Sequence, residues 1–565
     1  MTQIVTSSSS LSAEPARVNV ARRLTAMAAR MPEALAVVVP RARYRDGKRH
    51  YDTMTFRQLE DESNRLASGL RAWGLPPGAR VALLVRPGWE FIALVFALFK
   101  AGAVIVLIDP GMGRKNLLQC LADAEPEGFI AIPLVQAIRR VLQRRFPRAR
   151  FNVTVGRRLF WDGLTLDELR ARGQAAPICH DTLAEDPAAI IFTTGSTGPP
   201  KGVLYRHGNF DRQVTELGEF YAIQPGEIDL PGFPLFGLFN CAWGVTTVIP
   251  DMDPSRPARV DPRNIVEAVH DWKVTQAFGS PAIWNRVGQY CEEQRVQLPT
   301  LRRVLSAGAP VPPHVLARMK ACMAAEGDVH TPYGATESLP VASIAGSEVL
   351  AETQYRWAQG GGTCIGRKFP GIDWRVIAMV DGPIARLADS VSLPDGQIGE
   401  LIVSGPVVTR EYVTRTEANA LGKIAEGPRI WHRMGDVGYL DERGRFWFCG
   451  RMAHRVQTAA GVMFTIPCEA IFNQHPLIYR SALVGVGPAG QQRPVIVGEP
   501  WPGQMPRGTA ARKQLLAELE QLARGNRLTE NIQDFLLHRA LPVDIRHNAK
   551  IFRDQLAVWA ARKLR

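Results

Sequence analysis

No Cys-x-x-Cys pair occurs in this chain: its 8 cysteines stand singly along the sequence and its 11 histidines form no cluster. That pattern excludes a zinc ribbon and a disulfide scaffold, and it predicts reduced thiols in a cytoplasmic protein. Long apolar runs are also missing. The longest, residues 91–108, is broken by Lys100 and Gly102, so it reads as a helix ending near Lys100 and a strand over 103–108, not as a membrane span. Residues 1–16 are polar, with serine from Ser7 to Ser10, and lack the basic start and apolar core of a signal peptide; a disordered lead-in is expected.

A formal net charge of +14 is not accompanied by a zinc finger, an RNA-binding signature or a basic stretch interleaved with aromatics, so nucleic acid is not the expected partner. One basic concentration is real. Arg139, Arg140, Arg144, Arg145, Arg148 and Arg150 stand beside Leu134, Val135, Ile138, Val141 and Leu142. On a helix this makes an apolar stripe flanked by cations, suited to peripheral contact with a membrane or an acidic partner through residues 139–150; a solvated face on a packed helix is the plainer alternative.

The chain does have the length and apolar content for several cores, with 565 residues of which 46% are hydrophobic. Thr55 and Gln58 have capping-box spacing, and Leu59, Leu66, Leu70 and Trp73 share one helical face before Gly74. Strand 80–85, helix 89–100, strand 103–108, helix 115–124 and strand 128–132 follow, the alternation of a mostly parallel sheet covered by helices. From 378 to 450 the texture turns to glycine, valine and short strand-like runs. The final part carries strands over 481–486 and 495–499 and a helix over 510–524. The expected class is therefore α/β. A large N-terminal domain over 17–450 has mostly parallel sheets covered by helices, with a β-rich subdomain at about 378–450; a hinge at 451–454 joins it to a small mobile α+β lid over 455–565. Residues 485–490 match Gly-x-Gly-x-x-Gly, but the next element reads as a strand where a dinucleotide site needs a helix, so no such site is assigned.

The most informative run is Ile190-Ile-Phe-Thr-Thr-Gly-Ser-Thr-Gly-Pro-Pro-Lys-Gly-Val203. A buried strand leads into a loop where Gly195 and Gly198 permit tight turns, Thr193, Thr194, Ser196 and Thr197 offer hydroxyl donors, and Lys201 adds a charge: a phosphate cradle. It is not a Walker A loop, because Gly202 stands where a magnesium-binding Ser or Thr would follow the lysine. Further along, Phe233, Phe236, Phe239, Trp243 and Phe278, with Gly237 and Gly279 among them, combine bulky rings with open space, as a dry acyl pocket would; a plain core explains half of them equally well.

The phosphate loop resembles the signature of the adenylate-forming superfamily of acyl-CoA synthetases, luciferases and adenylation domains. Other motifs follow in the family's order: Lys100-Ala-Gly-Ala103 with Asp109-Pro110, Ser306-Ala-Gly-Ala-Pro310, Tyr333-Gly-Ala-Thr-Glu337, Met434-Gly-Asp436, Gly450-Arg451 and Asn548-Ala-Lys-Ile551. The resemblance implies ATP and Mg²⁺ and assigns roles. Lys550 would bridge the substrate carboxylate and the α-phosphate, Thr336 would bond that phosphate, and Glu337 would hold the metal. Asp436, helped by Arg451, would accept from the ribose; Gly308, Ala309 and Tyr333 would frame adenine; the loop from Thr193 to Lys201 would hold the β- and γ-phosphates. Phe233-Pro-Leu-Phe-Gly237 corresponds to the substrate-side motif, where an aromatic or His often replaces Gly237, implying a long or branched aliphatic acid.

The family's thiol-transfer features are altered here, with Ala453 where Asp or Lys is usual, a changed loop around Gly461, and Ala549 for the glycine before the catalytic lysine. Leu204-Tyr-Arg-His-Gly208 and the 233–237 segment resemble the β-lactone-forming branch of bacterial hydrocarbon synthesis. There a 2-alkyl-3-hydroxy acid is adenylated and closed by its own hydroxyl. That resemblance implies partners: a condensing enzyme and a ketone reductase upstream, and a decarboxylating hydrolase downstream, in one soluble assembly. Ring closure calls for a base, with His207 and His432 as candidates. The alternative is a long-chain fatty acyl-CoA synthetase.

Overall fold

The computed structural model describes residues 17–44, 47–193, 198–544 and 550–564. Two large sheets form its centre. In the seven-stranded sheet the order is Leu164–Thr165, Phe151–Thr154, Gly128–Ala131, Arg80–Leu84, Val104–Leu107, Pro187–Phe192 and Gly202–Arg206, parallel except for the last pair. The capping box forms as expected: the Gln58 N–H donates to Thr55 Oγ1 and the Thr55 N–H to Gln58 Oε1, starting helix Phe56–Ala72.

Helix Trp89–Ala101 is apolar all round because it is covered on every side, and Gly102 at φ +78° ends it before strand Val104–Leu107. Any side chain at Gly102 would also strike the His180 ring, 2.5 Å from the place of its Cβ. Within this helix the fully buried Lys100 is compensated by Glu60 Oε2, Ser63 Oγ and Asn64 Oδ1, each 2.7 Å from its Nζ. A buried ammonium without such partners would be strongly destabilising.

The nine-stranded sheet has a parallel centre, Asp328–Ala335, Arg303–Ser306, Gln276–Gly279, Ile228–Pro231, Thr246–Val248 and Leu35–Arg43 in that order, with antiparallel strands at both edges. From Ile228–Pro231 the chain proceeds to one side and from Gln276–Gly279 to the other. Their carboxyl ends therefore flank a topological switch point, where sheets of this kind leave a crevice for a ligand.

A six-stranded antiparallel sheet runs from Thr363 through Arg451, and the last part of the chain forms a three-stranded sheet, Ile478–Val486, Arg493–Pro500 and Asp534–Leu537, flanked by helices Thr465–Phe472, Thr509–Arg524 and Arg553–Lys563. Residues 485–490 lead into strand Arg493–Pro500, so the glycine pattern there opens no helix. Among the described residues no helix is long and apolar enough to cross a membrane, and the 8 cysteines are free thiols.

Candidate active site

A continuous cleft of ≈ 3490 Å³ gathers most of the described residues that the sequence singles out. Thr193, Gly198 and Lys201 line it, but Thr194, Gly195, Ser196 and Thr197 lie outside the described residues. The strands on either side of the glycine-rich segment pair antiparallel: Phe192 pairs with Gly202, the Thr193 N–H donates to the Lys201 carbonyl at 3.0 Å, and the Lys201 N–H to Thr193 Oγ1 at 3.1 Å. A strand therefore follows that segment, and helix His207–Phe220 begins only beyond it.

Tyr333-Gly-Ala-Thr-Glu337 is the tip of a hairpin, where Ala335 pairs with Ser338 and leaves Thr336 and Glu337 at the turn. Its backbone is fixed from two sides. The Tyr205 hydroxyl donates to the Thr336 carbonyl at 2.6 Å, and Thr409 donates to the Glu337 carbonyl through its N–H at 2.9 Å and its hydroxyl at 3.0 Å. The Glu337 side chain is buried, and Tyr412 donates its phenolic hydrogen to Oε1 at 2.6 Å. Burial alone would raise this carboxyl. The neighbouring His432, the Tyr412 bond and the Lys423 charge more than offset it and hold the group below its ordinary value.

The Tyr412 ring carries two cations, with Lys201 Nζ 4.7 Å and Lys423 Nζ 5.5 Å from its centroid. Burial lowers Lys423 to about 8, against the pull of Glu337. His432 donates from Nδ1 to the Gly422 carbonyl at 2.9 Å in the tautomer that leaves Nε2 an acceptor; burial, with the Lys423 charge, lowers it to about 3. Sequence reasoning missed Tyr412 and Lys423, which belong to no recognisable motif.

Further along the strand that carries His432, Asp436 is a cross-strand neighbour of Arg451. Arg451 Nε lies 3.0 Å from Asp436 Oδ1, and the Tyr333 hydroxyl donates to Oδ2. Burial raises Asp436, while Arg451, the Tyr333 bond and the charge of Lys550 oppose that rise. Lys550 thus reaches the same cleft from the far end of the chain, its N–H anchored to Asp544 Oδ1 at 2.9 Å. Gly308 and Ala309 line the cleft after strand Arg303–Ser306, Gly308 at φ +94°. The hydroxyls of Ser280 and Ser306, both on the cleft, are buried without a hydrogen-bond partner among the described residues. Asn548 and Ala549 lie outside the described residues.

Phe233, Phe236, Phe239 and Phe278 line an apolar part of the cleft at the switch point, Phe236 stacked on Phe278 with centroids 3.8 Å apart. Gly237, Trp243 and Gly279 do not line it. A Cβ on Gly237 would meet Pro231 and Thr247 at 3.2 Å, and one on Gly279 the Trp284 ring at 3.0 Å. Trp243 stacks behind Phe239 and donates to the Val214 carbonyl. These three support the wall, and the absent side chain at Gly237 allows close packing without opening the cavity.

His207 is corrected more sharply. Its ring is fully buried against Phe99, Nδ1 accepts from the Val20 N–H at 3.3 Å, and it is absent from the cleft wall; burial lowers it to about 4. It cannot reach a substrate hydroxyl.

Comparison with known proteins agrees with this geometry. The family model for AMP-binding enzymes matches residues 24–413. The chain is similar to the olefin β-lactone synthetase of Xanthomonas campestris pv. campestris, 46% identical over 96% of this chain and 98% of that protein. It is more distantly similar to a long-chain-fatty-acid–CoA ligase of Thermus thermophilus, 27% identical over 79% of this chain and 80% of the ligase. Among solved structures, amide bond synthetase McbA from Marinactinospora thermotolerans shares the fold, with a TM-score of 0.76 at 23% identity, covering 96% of this chain and 99% of that one.

Proposed function

The chain belongs to the AMP-binding enzyme family and is an AMP-forming ligase, and from that premise we propose that it activates a long-chain 2-alkyl-3-hydroxy acid with ATP and closes it to a β-lactone. The observation that carries the activation step is that Lys550, from the far end of the chain, lines one cleft with Asp436, Glu337, Lys201 and Arg451. A carboxylate and a triphosphate repel each other, so catalysis here is alignment plus charge neutralisation. A carboxylate oxygen attacks the α-phosphorus, the bond to the β-phosphate oxygen breaks, and pyrophosphate leaves. Lys550 bridges the two anions, Thr336 donates to the α-phosphate, the segment from Thr193 to Lys201 holds the outer phosphates, and Asp436, paired with Arg451, accepts from the ribose hydroxyls. Gly308, Ala309 and Tyr333 border adenine.

Glu337 fits a magnesium ion, because Tyr412 occupies Oε1 while no described hydrogen bond takes Oε2. Mg²⁺ is commonly held by one or two carboxylates together with substrate phosphates. When bound it supplies neutralisation of the phosphate charge.

In the second step the substrate's own hydroxyl oxygen attacks the acyl carbon, the bond to AMP breaks, and the hydroxyl proton passes to the phosphate of the departing AMP. His432, neutral and with Nε2 available as an acceptor, orients that hydroxyl as AMP departs. The near full-length likeness to a β-lactone synthetase favours this step over thioester formation. On this reading residues 451–454 are the hinge between 17–450 and 455–565, and the protein works in the cytoplasm. Its strained product is handed to a decarboxylating hydrolase, and a ketone reductase supplies the hydroxyl beforehand.

The test is incubation of the protein with ATP, Mg²⁺ and a 2-alkyl-3-hydroxy acid, with and without coenzyme A, followed by product mass analysis. AMP and a lactone formed without thiol are expected. Strict dependence on coenzyme A with a thioester product would replace this reading by the fatty acyl-CoA synthetase.

A further inference from the structure

Helix Pro133–Val141 is amphipathic in the reverse of the usual sense. Its inward face is polar. Gln136, fully buried, donates to the Phe129 and Val153 carbonyls at 3.0 and 2.9 Å; Arg139, 5% exposed, donates to Gln136 Oε1 at 2.8 Å and pairs with Asp162 at 2.8 Å. Its outward face is apolar, with Leu134, Ile138 and Val141 exposed at 67, 43 and 76%. These positions recur at i, i+4 and i+7, so they form one stripe. The segment tied down by Asp162 adds Leu159 and Phe160, exposed at 59 and 69%. Sequence reading places Arg139 among the surface cations; it is instead the buried anchor that turns the apolar stripe outward.

A fold that buries glutamine and arginine under a helix while presenting leucine, isoleucine and valine to water bears a cost that a partner on the apolar face would remove. The rim of that face is cationic. Arg144, Arg145 and Arg157 are exposed with no carboxylate partner among the described residues, whereas the nearby acids are taken: Asp162 by Arg139, Glu168 by Arg158, and Glu125 and Glu127 by Arg148. Leu134, Val135 and Ile138 also line the cleft, so the stripe is continuous with its mouth.

We infer that this face docks on an anionic lipid bilayer, with the apolar stripe entering the interface, the arginines meeting lipid phosphates, and the cleft opening toward the membrane. An apolar stripe with a cationic border is the pattern of interfacial helices. The argument from continuity rests on the proposed acyl site; the inverted helix and the charge pattern do not.

Flotation of the full-length protein with vesicles of phosphatidylcholine and phosphatidylglycerol, against phosphatidylcholine alone, tests the inference. Binding to the anionic vesicles is expected, weakening with salt. The pair Arg144→Gln and Arg145→Gln should weaken it about thirtyfold, at about 1 kcal/mol for each arginine near an anionic surface, and Val141→Ser with Phe160→Ser at least about tenfold. None of these four residues lines the cleft, so pyrophosphate–ATP exchange with a short, soluble acid should be unchanged and serves as the check on folding. Failure of exchange in the unaltered protein would count against the proposed reaction while leaving flotation to be read by itself. Absence of flotation at low salt, equal binding to neutral vesicles, or equal binding by all variants overturns the inference. So does binding to polyglutamate without binding to vesicles, which would assign the face to an acidic protein.

Discussion

Tyr412 donates its phenolic hydrogen to Glu337 Oε1 at 2.6 Å while its ring lies beneath the ammonium groups of both Lys201 and Lys423. One side chain thus fixes the orientation of the carboxylate proposed to hold magnesium and the place of the phosphate-loop lysine. Tyr412→Phe keeps the ring and removes the bond. A hydrogen bond to a charged group contributes about 1.5–3 kcal/mol, so pyrophosphate–ATP exchange should slow by roughly tenfold to a hundredfold, with a loss of stability no larger than that. Exchange at the unaltered rate would show that the phenol does not position Glu337.

Lys550, from the last part of the chain, lines the same cleft as Glu337, Asp436 and Arg451. Lys550→Ala should leave AMP binding within a few-fold, because Asp436, Arg451, Gly308 and Ala309 remain. Adenylation should fall by at least about a hundredfold, the scale for removing one preorganised transition-state donor. Isotope exchange separates the two, and near-normal exchange in the variant would remove the lysine from the mechanism.

His432 divides the half-reactions differently. Its Nδ1–H is committed to Gly422, so Nε2 is the nitrogen available to a substrate hydroxyl. His432→Gln should retain most of the pyrophosphate exchange but slow lactone release by about a hundredfold, within the range for a positioned acid–base or orienting group. Acyl-adenylate should accumulate in a single turnover, and loss of both steps in parallel would show that the imidazole acts through Glu337 instead.

Phe236 and Phe278 stack at the switch point and close one end of the apolar wall. Phe278→Ala should move chain-length preference toward longer or bulkier acids, read as the ratio of kcat/KM values for two acids. It should also cost about 3–5 kcal/mol of stability, as large-to-small changes of buried aromatics do. Unchanged preference in a folded variant would place the acyl chain elsewhere in the cleft.

These residues also mark what was legible beforehand. The capping box at Thr55 and the alternation of strand and helix through residue 131 rest on local rules and hold in the structure. The motif residues come as contiguous runs, each bound to one turn or strand end, so their convergence follows once the sheets are ordered. Tyr412 follows no such rule. It meets Glu337 across 75 residues, on a strand connection with no repeating pattern. His207 misled because an imidazole can also serve as a core side chain, here packed on Phe99 with Nδ1 accepting from the Val20 backbone N–H. Arg139 misled because charge is read as exposure, whereas its carboxylate partner Asp162 lies on a different element. Trp243 and the two glycines misled because lining and backing a wall require the same apolar, close-packed residues.

Asp229 stands behind that wall, fully enclosed, accepting from Asn240 at 2.7 Å in a network that includes Thr247. Burial raises its carboxyl from 3.8 to about 7, partly opposed by the Asn240 bond and the Arg303 charge. The folded protein therefore binds a proton here that the unfolded chain releases at about pH 4. The resulting stabilisation is complete below that pH, declines as pH rises toward 7, and is absent above it. Asp229→Asn keeps the shape and the acceptor but has no charge to bury. Its stability relative to the unaltered protein should rise by a few kcal/mol between pH 4 and 8, measured by urea unfolding at several pH values. A difference independent of pH over that range would mean that the folded carboxyl titrates no higher than in the unfolded chain, with the Asn240 bond and the Arg303 charge offsetting its burial.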